Sequence, residues 1–359
     1  VRINMFISNP ETRRKIGRFK EIKRGYYSFL ILMGILLLTS FCELISNSRA
    51  LLVSYEGNLY FPTYSAFHPG TDFGLDYPYE TNYRELKQKF LEEGSGNWVL
   101  MPPVTFNPYE NNAQDDIFRP SAPSIGNGHY LGTDTTSRDI LSRLIYGTRI
   151  ALWFALAFTL SVYLIGIVIG CAMGYFGGIF DLLFQRFIEI WSNIPFLYMV
   201  IIVFSVVPSG LPSSARITIL LSVMVLFSWT SITYYMRTET YREKSRDYVS
   251  AARIMGASTW RIIFRHILPN AMSTLITFVP FTVIAAITAI TALDFLGFGL
   301  PPPTPSLGEL LKQGTSSLRT APWIVISAFG TLVMILTLIT FVGEAIRESF
   351  DPKKFTIYE

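Results

Sequence analysis

The sequence has little charge and few of the residues that build catalytic or metal sites. Only 16% of its 359 residues are charged, too few to cover the surface of a soluble protein of this size. Its two cysteines, Cys42 and Cys171, both lie in apolar runs. This excludes a secreted disulfide framework and predicts two small buried hydrophobic side chains. The composition therefore favours a polytopic membrane protein.

Several motifs of enzymes and metal sites are also missing. The chain has no Gly-x-x-x-x-Gly-Lys-Ser/Thr loop for a nucleotide, no Gly-x-Ser-x-Gly and no His-Glu-x-x-His. Its three histidines, His68, His129 and His266, form no cluster in the sequence. We therefore expect no catalytic residue and no directly bound metal or cofactor, and we place no nucleic acid among the partners.

Apolar runs are what the sequence does contain, and a membrane-spanning helix needs about 20 such residues. The third run along the chain, Pro195–Val207, is long enough only if its helix begins near Phe180 and includes Arg186 and Glu189. The first lacks a cleavage site and is interpreted as a retained span. The runs are Tyr26–Ile45, Ile150–Tyr175, Pro195–Val207, Ile217–Met236, Leu275–Leu293 and Trp323–Gly343. They predict an all-α membrane protein with about six transmembrane helices.

Basic residues give the orientation. They concentrate in residues 1–25, 237–269 and 347–359, and cytoplasmic segments carry the excess of Lys and Arg. With six spans all three segments lie on one side, so both termini are expected in the cytoplasm of an inner-membrane protein. The first span then covers residues 26–47, and residues 140–346 hold helices 2 to 6.

Residues 48–139 must then lie outside the cytoplasm. This segment is rich in acids and in Tyr, Pro, Asn and Gly, and it has no long apolar run. Short strands are expected, such as Leu51–Tyr60 around a Gly57-Asn58 turn. The prediction is a periplasmic insertion of mixed structure between helices 1 and 2.

The stretch after the fourth span has the pattern of a helix-turn-helix. Residues 248–255 suit a short amphipathic helix that Gly256 ends. Ser258 is placed to cap a second helix. Pro269 lies where that helix is expected to break or bend.

This stretch resembles the coupling loop of ABC importer permeases, written Glu-Ala-Ala, three residues, Gly, nine residues, then a hydrophobic residue and Pro. Ser250, where the family usually has Glu, departs from the pattern. The alternative is an ordinary basic cytoplasmic loop. The resemblance implies that this loop couples the chain to an ATPase, through Tyr248, Ser250, Ala251, Ala252, Met255, Gly256, Ala257, Leu268 and Pro269.

Four further segments resemble the second, C-type permease of the dipeptide/oligopeptide family. They are Leu131–Arg143, Gly174–Asp181, Leu293–Leu300 and Phe341–Pro352. The long acidic insertion and the stretch Arg24-Gly-Tyr-Tyr-Ser look most like the YejE branch, which is linked to import of microcin C and other peptides.

The resemblance implies a type I ABC importer permease fold and one half of a peptide pathway. The implied partners are a second, homologous permease, one or two ABC ATPase subunits or domains that hold ATP and Mg²⁺, a periplasmic peptide-binding protein and the lipid membrane. An ABC permease for nickel, opines or sugars remains an alternative. A channel or secondary transporter is disfavoured because the charges cluster near the interfaces, and an intramembrane enzyme because no nucleophile and base pair within the spans.

Charges and prolines in the spans have two readings each. Arg186 and Glu189 are spaced for a local ion pair, with a role in the pathway as the alternative. Asp294 is either a contact at the periplasmic gate or a helix-end carboxylate in the headgroup zone. Pro280 is expected to kink the fifth span, for packing or along the pathway.

Three smaller expectations concern helix ends. Residues 133–136 are expected to cap a helix along the outer membrane surface. Glu43 is expected to reach water. Glu344 and Arg347 are spaced to pair with each other at the inner interface.

Overall fold

The computed structural model describes residues 10–94, 96–112, 119–208 and 210–350. Helices dominate the described chain, which confirms the predicted class. The helices are α1 (Pro10–Glu21), α2 (Lys23–Ser40), α3 (Cys42–Ile45), α4 (Tyr83–Glu93), α5 (Ile140–Phe176), α6 (Gly178–Ser192), α7 (Phe196–Val206), α8 (Ser213–Lys244), α9 (Asp247–Ile254), α10 (Thr259–Ile262), α11 (Leu268–Leu275), α12 (Val279–Leu296), α13 (Leu307–Ser316) and α14 (Pro322–Phe350). The strands are β1 (Leu52–Tyr55), β2 (Asn58–Tyr60) and β3 (Trp98–Leu100).

Four helices among the described residues are long and apolar enough to cross a membrane, and two bent helix pairs raise the number to six if each is one span. The four are α5, α8, the continuous helix Thr259–Leu296 and α14. The bent pairs are α1 with α2, at 95°, and α6 with α7, at 71°. The described helices therefore supply four to six candidate spans, a range that includes the six that the sequence predicts.

The third span differs from its prediction as one helix from near Phe180. It is broken between Ser192 and Phe196. Pro195 explains the break, because its ring disfavours helical backbone at Ile194 and it has no N–H to donate. Asn193 closes the first half by donating to the carbonyl of Glu189 at 2.7 Å from its side chain.

The described chain divides into two compact units. The first contains residues up to 32, residues 153–289 and residues from 334 onward. The second contains residues 33–152 and 290–333.

In the first unit, glycines hold α5 close to α8. Gly166, Gly170 and Gly174 recur every fourth residue, so they lie on one face of α5. A Cβ on Gly170 would lie 2.6 Å from the carbonyl oxygen of Thr233, and one on Gly174 would lie 2.6 Å from Cβ of Thr240. Small residues at this spacing let helix backbones approach, which is how helices pack in lipid.

Asp181 and Arg237 join α6 to α8 in the same unit. Both carboxylate oxygens of Asp181 accept from the Arg237 guanidinium, at 2.5 and 2.6 Å. The Tyr241 hydroxyl also donates to Asp181, at 2.8 Å. This bidentate pair neutralises a buried carboxylate, which a membrane-facing helix requires.

The start of α2 meets α14 in this unit. Gly25 lies against Ala345, where a Cβ would overlap, and Arg24 pairs with Glu344 at 3.1 Å. The prediction that Glu344 pairs with Arg347 is therefore wrong, because the partner of Glu344 is Arg24. The close approach of the two helices at Gly25 brings the Arg24 side chain within reach of Glu344.

In the second unit, residues 50–101 form a small α/β layer. The sheet order is β2-β1-β3 and both pairings are antiparallel. The first hairpin turns at Glu56 and Gly57, which both have positive φ, one residue before the expected Gly57-Asn58 turn. One face of the sheet packs on α4, with Val53, Leu86 and Phe90 in the core. The mixed structure predicted for the insertion is confirmed.

The start of α5 differs from the sequence prediction. Residues 133–139 form turns and a bridge, not a helix along the membrane surface. Asp139 caps α5 by accepting from the N–H of Ser142 at 2.7 Å. Asp134 instead accepts from the backbone and side chain of Arg138. Asp134 accepts hydrogen bonds within the turn and Asp139 caps α5, so the long helix begins only at Ile140.

Two further groups of the second unit bear on the expectations. Glu43 was expected to reach water. It is half-buried, and its carboxylate pairs with the Arg149 guanidinium at 2.7 Å. Cys42 is buried, and Cys171 of the first unit is buried too, as the apolar runs predicted.

Candidate functional site

The helix-turn-helix after the fourth span is present and rigidly built. After α9, Gly256 has φ +77°, which glycine adopts without strain. The N–H of Ala257 donates to the carbonyl of Ala252, and that of Gly256 to the carbonyl of Arg253, both at 3.0 Å. These two hydrogen bonds together form a Schellman motif, which ends the helix. The predicted helix end at Gly256 is confirmed.

The second helix starts as expected but does not break at Pro269. Thr259 begins it, although the Ser258 side chain makes no capping hydrogen bond. Residues 263–267 then form a π-turn before α11. Proline has no N–H and clashes with the carbonyl four residues earlier. The wider turn absorbs both effects, so the helix continues to Leu296.

A buried apolar cluster fixes the two arms to each other. Val249 and Ala252 of α9 pack with Ile262 and Ile267 of the second arm. Tyr175, at the end of α5, packs against the same cluster. Alanine at 252 is the small residue that lets the arms close. The loop is therefore packed directly against the C-terminal end of α5.

Hydrogen bonds add a second attachment, to the end of α8. We call Glu243, Tyr248 and Asn270 the polar clamp. The Tyr248 hydroxyl donates to Glu243 at 2.6 Å and accepts from the Asn270 amide at 2.9 Å. Burial and the bond to Glu243 raise the pKa of Tyr248, so the hydroxyl stays a donor at neutral pH.

Several apolar side chains of this loop are exposed. We call them the exposed ridge: Ala251, Ile254, Met255, Trp260 and Phe264. Ile254 is 87% exposed and Met255 is 80% exposed. The rings of Trp260 and Phe264 stack at 5.7 Å. An exposed apolar patch of this kind is a candidate interaction site.

The nine predicted coupling residues divide into two roles. Five are exposed, namely Tyr248, Ser250, Ala251, Met255 and Gly256, whereas Ala252 is buried and Ala257, Leu268 and Pro269 are half-buried. The last four therefore build the loop. Ile254, Trp260 and Phe264 were missing from the predicted set. Their exposure depends on how the two arms fold against each other, which the sequence pattern does not give.

The predicted gate and pathway residues lie in separate places. Arg186 and Glu189 form the local ion pair at 2.5 Å. Pro280 lies just after a tight 3-10 turn at Ile276–Phe278, so the fifth span is irregular where a kink was expected. The ion pair lies in α6 and Pro280 lies in α12, so the predicted residues do not form one cluster.

Asp294, in the second unit, is buried. It accepts from the N–H of Leu300 at 2.7 Å and from the Ser306 hydroxyl at 2.6 Å. The carboxylate thus closes the turn between α12 and α13. These bonds make Asp294 a structural contact within the turn, and a place at a periplasmic gate stays a prediction.

Within the described part of the chain, no group of three or more His, Cys, Asp or Glu residues could hold a metal ion. The chemistry available at the loop is apolar docking with a polar clamp behind it.

Comparisons with known proteins place this geometry in a family. Residues 166–356 match the family described as the binding-protein-dependent transport system inner membrane component. A peptidoglycan transport system permease protein YejE of Agrobacterium fabrum is 39% identical, over 96% of this chain and 94% of its own. An inner membrane ABC transporter permease protein YejE of Escherichia coli is 42% identical, over 96% and 98%.

A more distant relative covers less of the chain. The dipeptide transport system permease protein DppC of Haemophilus influenzae is 35% identical, over 71% of this chain and 85% of its own. The matched family region includes the whole helix-turn-helix, with its exposed ridge and polar clamp. The chain belongs to the family of inner-membrane permease components of binding-protein-dependent ABC transport systems, whose permease subunits leave ATP hydrolysis to their partners.

Proposed function

We propose that this chain is one of two permease subunits of an ATP-driven peptide importer. It forms half of the pathway beside a homologous second permease. Both of its termini lie in the cytoplasm, and an ABC ATPase docks on the helix-turn-helix. ATP and Mg²⁺ bind to that ATPase and not to this chain.

One observation carries the proposal: the exposed ridge stands on a rigid support. Its residues are apolar and uncovered, whereas the cluster below is buried. A docking helix must be apolar outside and immobile inside to transmit force. A flexible basic loop, the alternative reading, would need neither the Schellman cap nor the cluster.

The attachments of the loop suggest how motion passes to the spans. The cluster reaches α5 through Tyr175, and Lys244 of α8 donates to the carbonyl of Tyr175 at 2.5 Å. The polar clamp ties the loop to Glu243 at the end of α8. When two ATPases close on ATP, the ridge is displaced, and packed helices follow as rigid bodies. The inner ends of α5 and α8 therefore move with the loop.

A charge placed on the ridge tests the docking. Met255→Glu puts a carboxylate into the apolar contact and should abolish co-purification of the ATPase. Ser245→Glu is the matched control, because Ser245 is also exposed but precedes α9 and lies off the ridge. Retention of the ATPase by Met255→Glu in both detergent and nanodiscs would refute the docking site.

Gly256 offers an independent test of coupling. Its positive φ strains any β-branched residue, although a Cβ there would meet no atom within 4 Å. Gly256→Val should distort the turn and uncouple ATP hydrolysis from transport. Normal transport at normal ATP cost in that variant would contradict the assigned role of the turn.

Support for the word peptide comes from the relatives. Two of these relatives are named for peptidoglycan and dipeptide transport. Uptake of labelled di- to decapeptides, and of a muropeptide, into cells that express the whole system tests this class. Nickel, an opine and a sugar serve as comparison solutes. Uptake of a comparison solute without any peptide would move the proposal to that solute.

The topology and the second permease have their own tests. Single cysteines at position 245 and position 91, in a chain with Cys42→Ala and Cys171→Ala, should react with an impermeant maleimide from opposite sides. Only position 91 should react in intact spheroplasts.

Pull-down of a tagged chain should bring one homologous permease in equal amount. Recovery of this chain as a homodimer would contradict the heterodimer.

A further inference from the structure

The small sheet of the insertion has an unusual outer face. In an antiparallel sheet with one face on a core, the other face is normally polar. Here the inner face carries Val53, Tyr60 and Val99. We call the opposite face the apolar sheet face; it carries Leu52, Leu59, Phe61, Trp98 and Leu100.

The strand register brings these side chains together. Ser54 of β1 lies opposite Leu59 on one side and opposite Trp98 on the other. Leu52 lies opposite Leu100. Side chains two residues apart share a face, so Phe61 continues the row of Leu59. The five apolar residues therefore surround one serine.

This face is uncovered by the rest of the chain. Leu59 and Phe61 are each 57% exposed, Leu100 is 51% exposed and Trp98 is 45% exposed. The buried side of the same sheet shows that the strands are well packed from below, with Val53 fully buried. Apolar patches that a folded domain leaves exposed are interaction sites, and Trp is enriched in such contacts.

Charge narrows the choice of partner. Residues 48–139 contain twelve acidic and six basic residues, and Glu56 is exposed at the hairpin turn beside the face. An anionic membrane surface repels such a segment, as like charges do. A soluble protein with an apolar patch and basic surroundings fits instead.

We propose that the apolar sheet face docks the substrate-binding protein of the transport system. This inference rests on the proposed function and adds the contact residues on this chain. The apolar side chains supply contact area, and the net negative insertion steers a basic rim of the binding protein toward it.

The test uses the whole transporter in nanodiscs and its labelled binding protein. Leu59→Glu and Trp98→Glu alter two different strands, so one can be interpreted if the other fails to fold. Each should raise the Kd of the binding protein at least tenfold and lower its stimulation of ATP hydrolysis. Basal ATP hydrolysis should stay unchanged.

Leu91→Glu is the matched control. Leu91 is exposed on α4, on the helical side of the same insertion. The Kd of the binding protein for the Leu91→Glu transporter should stay within twofold of the wild-type value. The wild-type Kd should also rise with salt, and Glu56→Lys should weaken that dependence. An unchanged Kd in both face variants overturns the proposal.

Other occupants give distinct results. If the face variants lose the second permease while the Kd of the binding protein is unchanged, the face belongs to the second permease and the inference is overturned. If they instead lose binding to phospholipid vesicles at an unchanged Kd, the face belongs to the membrane, and the inference is again overturned. If the wild-type transporter binds no binding protein at all, the proposed function itself fails. If binding is intact in every variant, only the inference about the sheet face fails.

Discussion

Arg143 and Glu309 form a buried ion pair, with Nη2 of the arginine 2.5 Å from Oε2 of the glutamate. The Arg143 side chain is fully buried and that of Glu309 is 8% exposed. Arg143 also donates to the carbonyls of Pro108 and Pro303, at 3.1 and 3.3 Å. The pair thereby ties the start of α5 to α13 within the second unit.

Removing one partner should be severe, because the other charge stays buried. We expect Glu309→Ala to lower the free energy of unfolding by about 3–5 kcal/mol. Glu93→Ala is the control, since Glu93 pairs with Lys89 at the surface of α4 and should cost less than about 1 kcal/mol. Thermal unfolding of the purified protein measures both. Equal melting temperatures would show that the buried pair contributes nothing to stability.

Gly170 should not tolerate even a methyl group. Gly170→Ala places Cβ against the Thr233 carbonyl, and overpacking of this kind costs about 1–3 kcal/mol. Gly330→Ala lies in α14, where no atom lies within 4 Å of the new Cβ, so it should be neutral or slightly stabilising. Thermal unfolding in detergent compares them. The close packing of α5 and α8 is unnecessary if both variants melt alike.

The polar clamp should matter for coupling more than for folding. Tyr248→Phe removes the hydroxyl between Glu243 and Asn270 and should cost about 1 kcal/mol. It should also raise ATP consumed per peptide transported. Tyr235→Phe is the control, because the Tyr235 ring stacks on Phe278 and the substitution keeps the ring. The clamp has no coupling role if both variants transport with the wild-type ratio.

The clamp also predicts a pH dependence. Burial, followed by the bond to Glu243, raises the pKa of Tyr248 above its ordinary value of about 10. A raised pKa means that the contribution to stability is complete below about pH 10 and is lost as the pH rises through the folded-state value. The melting difference between wild type and Tyr248→Phe should therefore be constant from about pH 6 to 9 and shrink above about pH 10. A difference that already shrinks near pH 7 would contradict this assignment.

Asp294 provides a test between structure and gate. Asp294→Ala leaves the Leu300 N–H and the Ser306 hydroxyl without their acceptor and should cost about 1–3 kcal/mol. Asp76→Ala, at an exposed carboxylate of the insertion, should be neutral. We expect peptide transport per folded molecule to be unchanged in both. Full stability together with lost transport in Asp294→Ala would establish a gate role.

Much of the architecture could be read from local pattern. The apolar runs required spans because lipid offers backbone groups no partners, and the positions of Gly256 and Pro269 predicted a helix-turn-helix. The hairpin near Gly57 followed from turn chemistry. These features depend on neighbouring residues along the chain, so a single sequence contains them.

Contacts between distant segments could not be read in the same way. The sequence by itself determined that this chain is a helical membrane protein with a helix-turn-helix after its fourth span, since hydrophobic length and turn residues act locally. Only the tertiary structure decided that Glu344 pairs with Arg24, that Pro269 is absorbed by a π-turn, and that Ile254 stands outside while Ala252 lies inside. Those outcomes depend on which helices come close, and close approach is set by packing of the whole unit.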